Sequence, residues 1–213
     1  VPAPAAPAPP ACGDGPALVA SLSTRDKLAQ LLMVGVRNAA DARAVVETYH
    51  VGGIMIGSWT DLSMLTDGSL PDTANAGPLP LAVSVDEEGG RVSRLASLIG
   101  ASPSARVLAQ TQTPDEVYQL ALSRGQKMRG LGITVDFAPV VDVSDQGDDT
   151  VIGDRSFSND PATVTAYAGA YARGLRDAGV LPVLKHFPGH GHGSGDSHTA
   201  GVVTTPPLDQ LMQ

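Results

Sequence analysis

Short unbroken apolar runs alternate with longer stretches of helical period along most of this chain. The runs are Leu31-Leu32-Met33-Val34-Gly35-Val36, Gly52-Gly53-Ile54-Met55-Ile56-Gly57, Pro80-Leu81-Ala82-Val83-Ser84-Val85-Asp86, Ile133-Thr134-Val135-Asp136-Phe137-Ala138 and Val180-Leu181-Pro182-Val183-Leu184. Few polar positions interrupt them, which is the pattern of parallel strands buried on both faces. Between the runs lie helices with recognisable ends. Ser23 is a plausible N-cap for a short helix with Asp26 in its first turn, and a second helix covers Asp41 to Tyr49. Thr113 caps a third, with Pro114 at the first helical position and Asp115 and Glu116 in the first turn. Val117, Leu120, Ala121, Arg124 and Met128 recur along it at helical spacing, and Gly130 and Gly132 end it. Asp160-Pro161 opens a fourth, with Val164, Tyr167, Ala168, Tyr171 and Leu175 on one face and Gly179 as its stop.

Strand–helix alternation of this kind predicts an α/β protein, either a doubly wound sheet or a (β/α)8 barrel. Polar residues gather where the predicted strands end: Asp86-Glu87-Glu88, Asp142 and Lys185-His186. Both folds carry their sites at that end, so the clustering does not separate them. A Gly-x-Gly-x-x-Gly turn is missing after the first strand, which weakens a dinucleotide-binding reading.

Composition narrows the class further. The 213 residues carry 42% hydrophobic and 17% charged side chains and a formal charge of −8, which argues against nucleic acid or an anionic membrane as the main partner. Residues 1–17 read as a Pro/Ala-rich extended tether ahead of a domain spanning 18–213. Such a tether suits an exported protein, secreted or held at the cell envelope through a segment preceding Val1. Cys12 is the single cysteine; a poor lipobox precedes it, and its expected role is a disulfide to a cysteine elsewhere.

The densest chemistry lies in Lys185-His186-Phe187-Pro188-Gly189-His190-Gly191-His192-Gly193-Ser194-Gly195-Asp196-Ser197-His198, which holds four of the five histidines. Alternating glycines from Gly189 to Gly195 suggest a hinged loop. In Asp196-x-His198 a carboxylate can orient an imidazole two residues on and hold a proton on it. The same stretch also reads as a solvated connector or as a metal site. Poor helix propensity through the glycines leaves no rigid i, i+4 histidine pair, so no metal is expected there.

Lys-His-Phe-Pro-Gly-His-Gly followed by Asp-Ser-His resembles the signature of glycoside hydrolase family 3, in its NagZ-type β-N-acetylglucosaminidase branch. Asp86-Glu87-Glu88-Gly89-Gly90-Arg91-Val92-Ser93-Arg94 and Asp154-Arg155-Ser156-Phe157 are similar to two further blocks of that family. The resemblance implies a (β/α)8 TIM-type barrel, here truncated after about five βα units, because such barrels typically run to about 250 residues. It implies sugar recognition by Asp86, Arg94, Arg155, Lys185 and His186, with the two glycines after Glu88 letting the backbone pass close to a ligand. Phe187-Pro188 becomes a candidate cis bond. His198 takes the acid/base role with Asp196 as its orienting partner, in a retaining mechanism that departs from the usual carboxylate pair. The implied substrate is a terminal non-reducing β-linked N-acetylglucosamine of peptidoglycan-type or related oligosaccharides. No cofactor and no obligate protein partner are expected.

The family's nucleophilic aspartate lies on a later strand, and no residue here matches it. Two rival readings stand beside the hydrolase. One is a glycoside phosphorylase, since a histidine left neutral after proton donation would not repel phosphate. The other is an inert fragment or a sugar-binding module, with open strand edges that would make it prone to association.

Overall fold

The computed structural model describes residues 15–193, 195, 196, 198 and 199. Five strands, β1 (Met33–Val36), β2 (Gly53–Ile56), β3 (Ala82–Val85), β4 (Val135–Asp136) and β5 (Leu181–Pro182), form one parallel sheet in the order β1-β2-β3-β4-β5. That order settles the choice left open by the alternating pattern. A doubly wound sheet reverses its strand order at a switch point, whereas a (β/α)8 barrel adds each strand beside the last. Every strand here lies next to its predecessor. Among the described residues β1 and β5 form the two ends of the sheet.

Strand register divides the side chains between two faces. Met33 pairs with Gly53, Gly53 with Ala82, Ser84 with Val135 and Val135 with Leu181, so these residues share the inner, barrel-facing side. The alternate positions, Val36, Ile54, Ile56, Val83 and Val85, are almost wholly buried against the helices. Facing them are Ala42 and Val46 of α3 (Ala39–Tyr49), Val117, Ala121 and Met128 of α7 (Pro114–Gly130), and Val164, Ala168, Tyr171 and Leu175 of α8 (Pro161–Asp177). On the inner side Ser84 and Val135 are buried, while Met33 of β1 and Leu181 of β5, at the two ends of the sheet, are 39% and 62% exposed.

The helix ends follow the capping residues. Ser23 caps α2 (Thr24–Ala29), accepting from the Asp26 amide. Thr113 and Glu116 form a reciprocal capping box on α7, and Asp160 accepts from Thr163 at the start of α8. Asn38 caps α3, so that helix begins at Ala39 rather than Asp41. Four short helices carry no periodic apolar face and escaped prediction: α1 (Gly15–Ser21), α4 (Ser69–Ala74), α5 (Ala96–Ile99) and α6 (Ala105–Thr111). α1 crosses the boundary expected at residue 17, and Cys12 lies outside the described residues.

The strands are shorter than their apolar runs. Leu31 and Leu32 turn into β1 and are 81% and 56% exposed. Pro139 and Pro182 bring no amide hydrogen to the ladder. The regular ladder is short at this end: Val183 still donates to the Asp136 and Ala138 carbonyls, and Lys185 bridges Val140 further on. Phe187–Pro188 is cis, as are Ala138–Pro139 and Lys185–His186.

Candidate active site

Three consecutive acids follow β3, and the period of the strand sends them to different places. Asp86 and Glu88 continue the inner parity of Ser84, while Glu87 continues the outer parity of Val85. Lys185, four residues beyond Leu181, returns to the inner side at the end of β5. Its ammonium lies 2.6 Å from Asp86 Oδ1 and 2.6 Å from Glu88 Oε1. Glu88 also receives a forked pair from Arg155, whose Nε and Nη2 each donate at 2.9 Å. Burial pushes the Glu88 carboxyl up, but the Arg155 hydrogen bonds and the Lys185 and Arg155 charges outweigh it and hold it below the usual carboxylate range.

Arg155 sits on a 3-10 turn, Gly153–Arg155, held from outside the site. Arg91 pairs with Asp154 at 2.9 Å and donates to the Ile152 carbonyl. Arg106 on α6 donates to the carbonyls of Ser144, Gln146 and Gly153. His186 completes the cluster. Its Nδ1 lies 2.6 Å from the buried Asp142 Oδ2, and its Nε2 lies 3.5 Å from Arg155 Nη2. With the proton on Nδ1, the Nε2 lone pair faces the guanidinium and the site. Burial raises the Asp142 carboxyl, while the His186 and His190 hydrogen bonds overcome it and draw it below its ordinary value.

The glycine-rich loop is partly docked rather than free. His190 donates its amide to Asp142 Oδ1 at 2.5 Å, Gln146 reaches the Gly193 carbonyl, and Gly191 is packed against the Val143 backbone. Further on, His198 Nδ1 lies 2.7 Å from Asp196 Oδ1, and the His198 amide donates to the same oxygen. Those bonds, the amide one first, lower the Asp196 carboxyl. His198 is largely exposed. No hydrogen bond or ion pair among the described residues joins the Asp196–His198 pair to Asp86, Arg155, Lys185 or His186.

The Arg94 amide donates to Glu87 Oε2 at 2.7 Å, and its side chain has no hydrogen-bond or ion-pair partner among the described residues. Gly89 and Gly90, with φ of 91° and 55°, do turn sharply, but the close approach is to the chain's own backbone at Pro103 and Ser104, not to an open ligand space.

Sequence reading passed over Glu88, although its two-residue offset from Asp86 at a strand end was signal enough to place both on one face. Glu87 does other work. Its carboxylate accepts from Arg124 Nη2, Ser93 Oγ and the amides of Arg94 and Leu95 at 2.6–2.8 Å, fully buried beneath the helices. Asp142, one of the polar residues gathered at the predicted strand ends, orients His186 and anchors the loop at His190, and nothing in the sequence pattern signals the first of these roles. Among the described residues no group of three or more His, Cys, Asp or Glu side chains converges as metal ligands.

Sequential parallel strands with an acid–base cluster across their C-terminal ends define part of a TIM-type enzyme barrel. The chain belongs to glycosyl hydrolase family 3: that family's N-terminal domain matches residues 23–213. It is 71% identical over 210 residues to Beta-hexosaminidase LpqI of Mycobacterium tuberculosis, an alignment covering 98% of this chain and 54% of the relative. A family 3 glycosyl hydrolase structure from Mycobacterium smegmatis superposes with a TM-score of 0.90 at 80% identity, covering 91% of this chain and 59% of that one. NagZ from Neisseria gonorrhoeae superposes at 0.73 with 26% identity, over 85% and 56% of the two chains. The chain thus spans about half the length of these curated relatives.

Proposed function

We propose that this domain supplies the sugar-binding half of a retaining β-N-acetylhexosaminidase acting on terminal non-reducing β-linked N-acetylglucosamine, as in peptidoglycan-type oligosaccharides. The observation that carries the reading is the Asp86–Lys185–Glu88–Arg155 cluster at the strand ends, in a chain of this family. Glu88 holds both cations in place, so Lys185 and Arg155 present their remaining N–H groups to sugar oxygens in fixed directions. Asp86 accepts from hydroxyls, and His186 offers Nε2. Preset donors and acceptors lose little entropy on binding, which favours a polar ligand rich in hydroxyls.

His198, oriented by Asp196, protonates the glycosidic oxygen and then activates water; the loop brings it to the bond when substrate is present. The carboxylate that attacks the sugar belongs to a part of the barrel outside these residues. The Pro/Ala-rich start of the chain fits a domain held at an envelope or released outside the cell. No helix among the described residues is long and apolar enough to cross a membrane.

The test is turnover of an aryl N-acetyl-β-glucosaminide by the complete polypeptide carrying this domain. Lys185→Ala should cut kcat/KM by about 10²-fold or more. His198→Ala should slow poor leaving groups by about 10²–10⁴-fold and activated aryl glycosides far less. Equal loss on both substrates would overturn the acid/base assignment. Phosphate-dependent release of sugar phosphate would replace hydrolysis with phosphorolysis.

A further inference from the structure

The chain has a single tryptophan, Trp59. It follows β2 on the turn Gly57–Thr60 and is 59% exposed. Its ring rests on two glycines. A Cβ at Gly35 of β1 would come within 2.9 Å of Trp59 Cζ2, and one at Gly57 within 2.5–2.6 Å of Cζ2, Cε2 and Cη2. Gly35 has the inner parity of Met33, and Gly57 that of Gly53 and Met55. The indole therefore lies across the C-terminal ends of β1 and β2 on the barrel-facing side, one ring face on bare backbone.

The turn beneath it is rigid. Thr60 Oγ1 donates to the Val36 carbonyl at 2.6 Å and accepts from the Gly57 amide at 3.0 Å. The Thr60 amide donates to the Gly57 carbonyl, and the Asp61 amide to Arg37 at 2.7 Å. An exposed indole is poorly hydrated over its faces, and a loop built only to lead out of β2 has no use for one held flat by two residues without side chains. Asp86 follows β3, the strand beside β2, and continues the same inner parity, so the indole and the Asp86–Lys185 pair share the C-terminal end of the sheet on its barrel-facing side.

Resting on the function proposed above, we infer that Trp59 is the aromatic wall of the sugar site. The C–H face of the N-acetylglucosamine ring stacks on the open side of the indole, while hydroxyls on its rim reach Asp86 and Lys185. A β-linked pyranose with equatorial substituents has this division, an apolar face and a polar edge. Stacking removes water from two apolar surfaces at once, and the site needs no movement to offer its half.

The experiment uses the complete polypeptide and N-acetylglucosamine as the probe, with affinity measured by calorimetry for the wild type, Trp59→Phe, Trp59→Leu and Lys185→Ala. Leucine keeps apolar cover over the glycines but has no π face, so it should bind roughly tenfold more weakly, whereas phenylalanine should stay within about threefold of wild type. In parallel, the emission difference between wild type and Trp59→Phe isolates Trp59, and it should shift to the blue, saturably, as sugar is added. Wild-type binding that Lys185→Ala abolishes but Trp59→Leu leaves unchanged would overturn the wall and keep the proposed function. No binding by the wild type would overturn both. Should Trp59→Leu fail to fold, the wild-type emission decides, and a Trp59 signal unmoved at saturating sugar overturns the inference.

Discussion

The inner and outer faces of β3 use the same chemistry for opposite ends. On the inner face Glu88 holds Arg155 and Lys185, whose side chains keep 13% and 15% of their surface open. On the outer face Glu87 holds Arg124 with 0% and 7% open. Both are carboxylate–guanidinium pairs, one residue apart in sequence. The inner pair leaves N–H groups unspent, facing the barrel mouth. The outer pair spends its carboxylate completely: four donors surround Glu87, and Arg124 Nη1 also reaches the Gly100 carbonyl at 2.8 Å. A buried carboxylate with every lone pair engaged makes a structural strut, and partial exposure with partners on one side makes a recognition site.

Breaking the outer pair should have the largest effect. Glu87→Ala leaves Arg124 buried without its counter-charge and strips the partners from the Arg94 and Leu95 amides. About 3–5 kcal/mol of stability should go, as the loss of one member of a buried pair typically costs. Urea unfolding of the complete polypeptide measures it, and a change below about 1 kcal/mol would mean that the outer pair is no strut. Glu88→Gln should separate the faces next. It keeps the shape but releases the hold on two cations, so kcat/KM on an aryl N-acetyl-β-glucosaminide should fall by about 10²-fold while stability falls by only about 1–2 kcal/mol. A variant that melts early yet binds sugar normally would reverse the assignment.

How far these faces could be read from the sequence varied by element. The two 17-residue helices were plain from cap to stop, because capping box, proline and apolar period agree along Thr113–Met128 and Asp160–Leu175. The strands were located but overestimated, since an apolar run does not show where the regular ladder gives way to single backbone bonds, as at Val183 and Lys185. Asp86, Lys185, His186 and Arg155 do gather in one cluster. The partners that place them, Glu88 and Asp142, come from a strand end and a loop far apart in the chain, and only folding brings Asp142 within 2.6 Å of His186. Arg106, on a seven-residue helix without a periodic face, gave no sign that it anchors the Arg155 turn. Trp59 owes its setting to two glycines on neighbouring strands, a relation that linear spacing does not contain.

The faces should also answer to pH in opposite directions. Glu88 and Asp142 titrate below their unfolded values, so the stability they lend is present above the ordinary carboxylate range and is lost as pH falls through the lower folded values. Asp136, on the outer face, is pushed well up, first by burial and then by the Glu87 charge, against the opposing Glu87 amide bond. Its folded form holds the proton to a higher pH than the unfolded form does. Its contribution is fully present below the unfolded value near 3.8 and is lost as pH rises towards the folded one. Asp136→Asn retains the acceptor for the Glu87 amide and cannot ionise. The variant should match wild type near pH 4 and gain on it as pH rises, by about 1–3 kcal/mol at neutrality. Melting curves across pH 4–8 check the sign; a gap that narrows with rising pH would contradict it.

The smallest effect should come from loosening the helix that carries Arg124 without touching any buried charge. Thr113 Oγ1 accepts from the Glu116 amide at 3.3 Å, while the Glu116 carboxylate takes the Thr113 amide at 2.7 Å and its hydroxyl at 2.9 Å. Those bonds, the amide one first, draw the Glu116 carboxyl below its ordinary value. Thr113→Ala removes the side-chain half of the box and leaves the amide half. The start of α7 has a second tie, because Tyr167 of α8 donates to the Gln112 carbonyl at 2.7 Å. The loss should therefore stay near 1 kcal/mol, the usual cost of an N-cap threonine. Arg124 lies three helical turns further on, beyond the reach of terminal fraying, so sugar affinity should not change. Thr113→Ala and Glu87→Ala thus act on the same outer framework, one at the end of α7 and one at its buried charge. A Thr113→Ala loss approaching that of Glu87→Ala would place the strength of this face in the helix end rather than in the ion pair, and urea midpoints measured side by side decide between them.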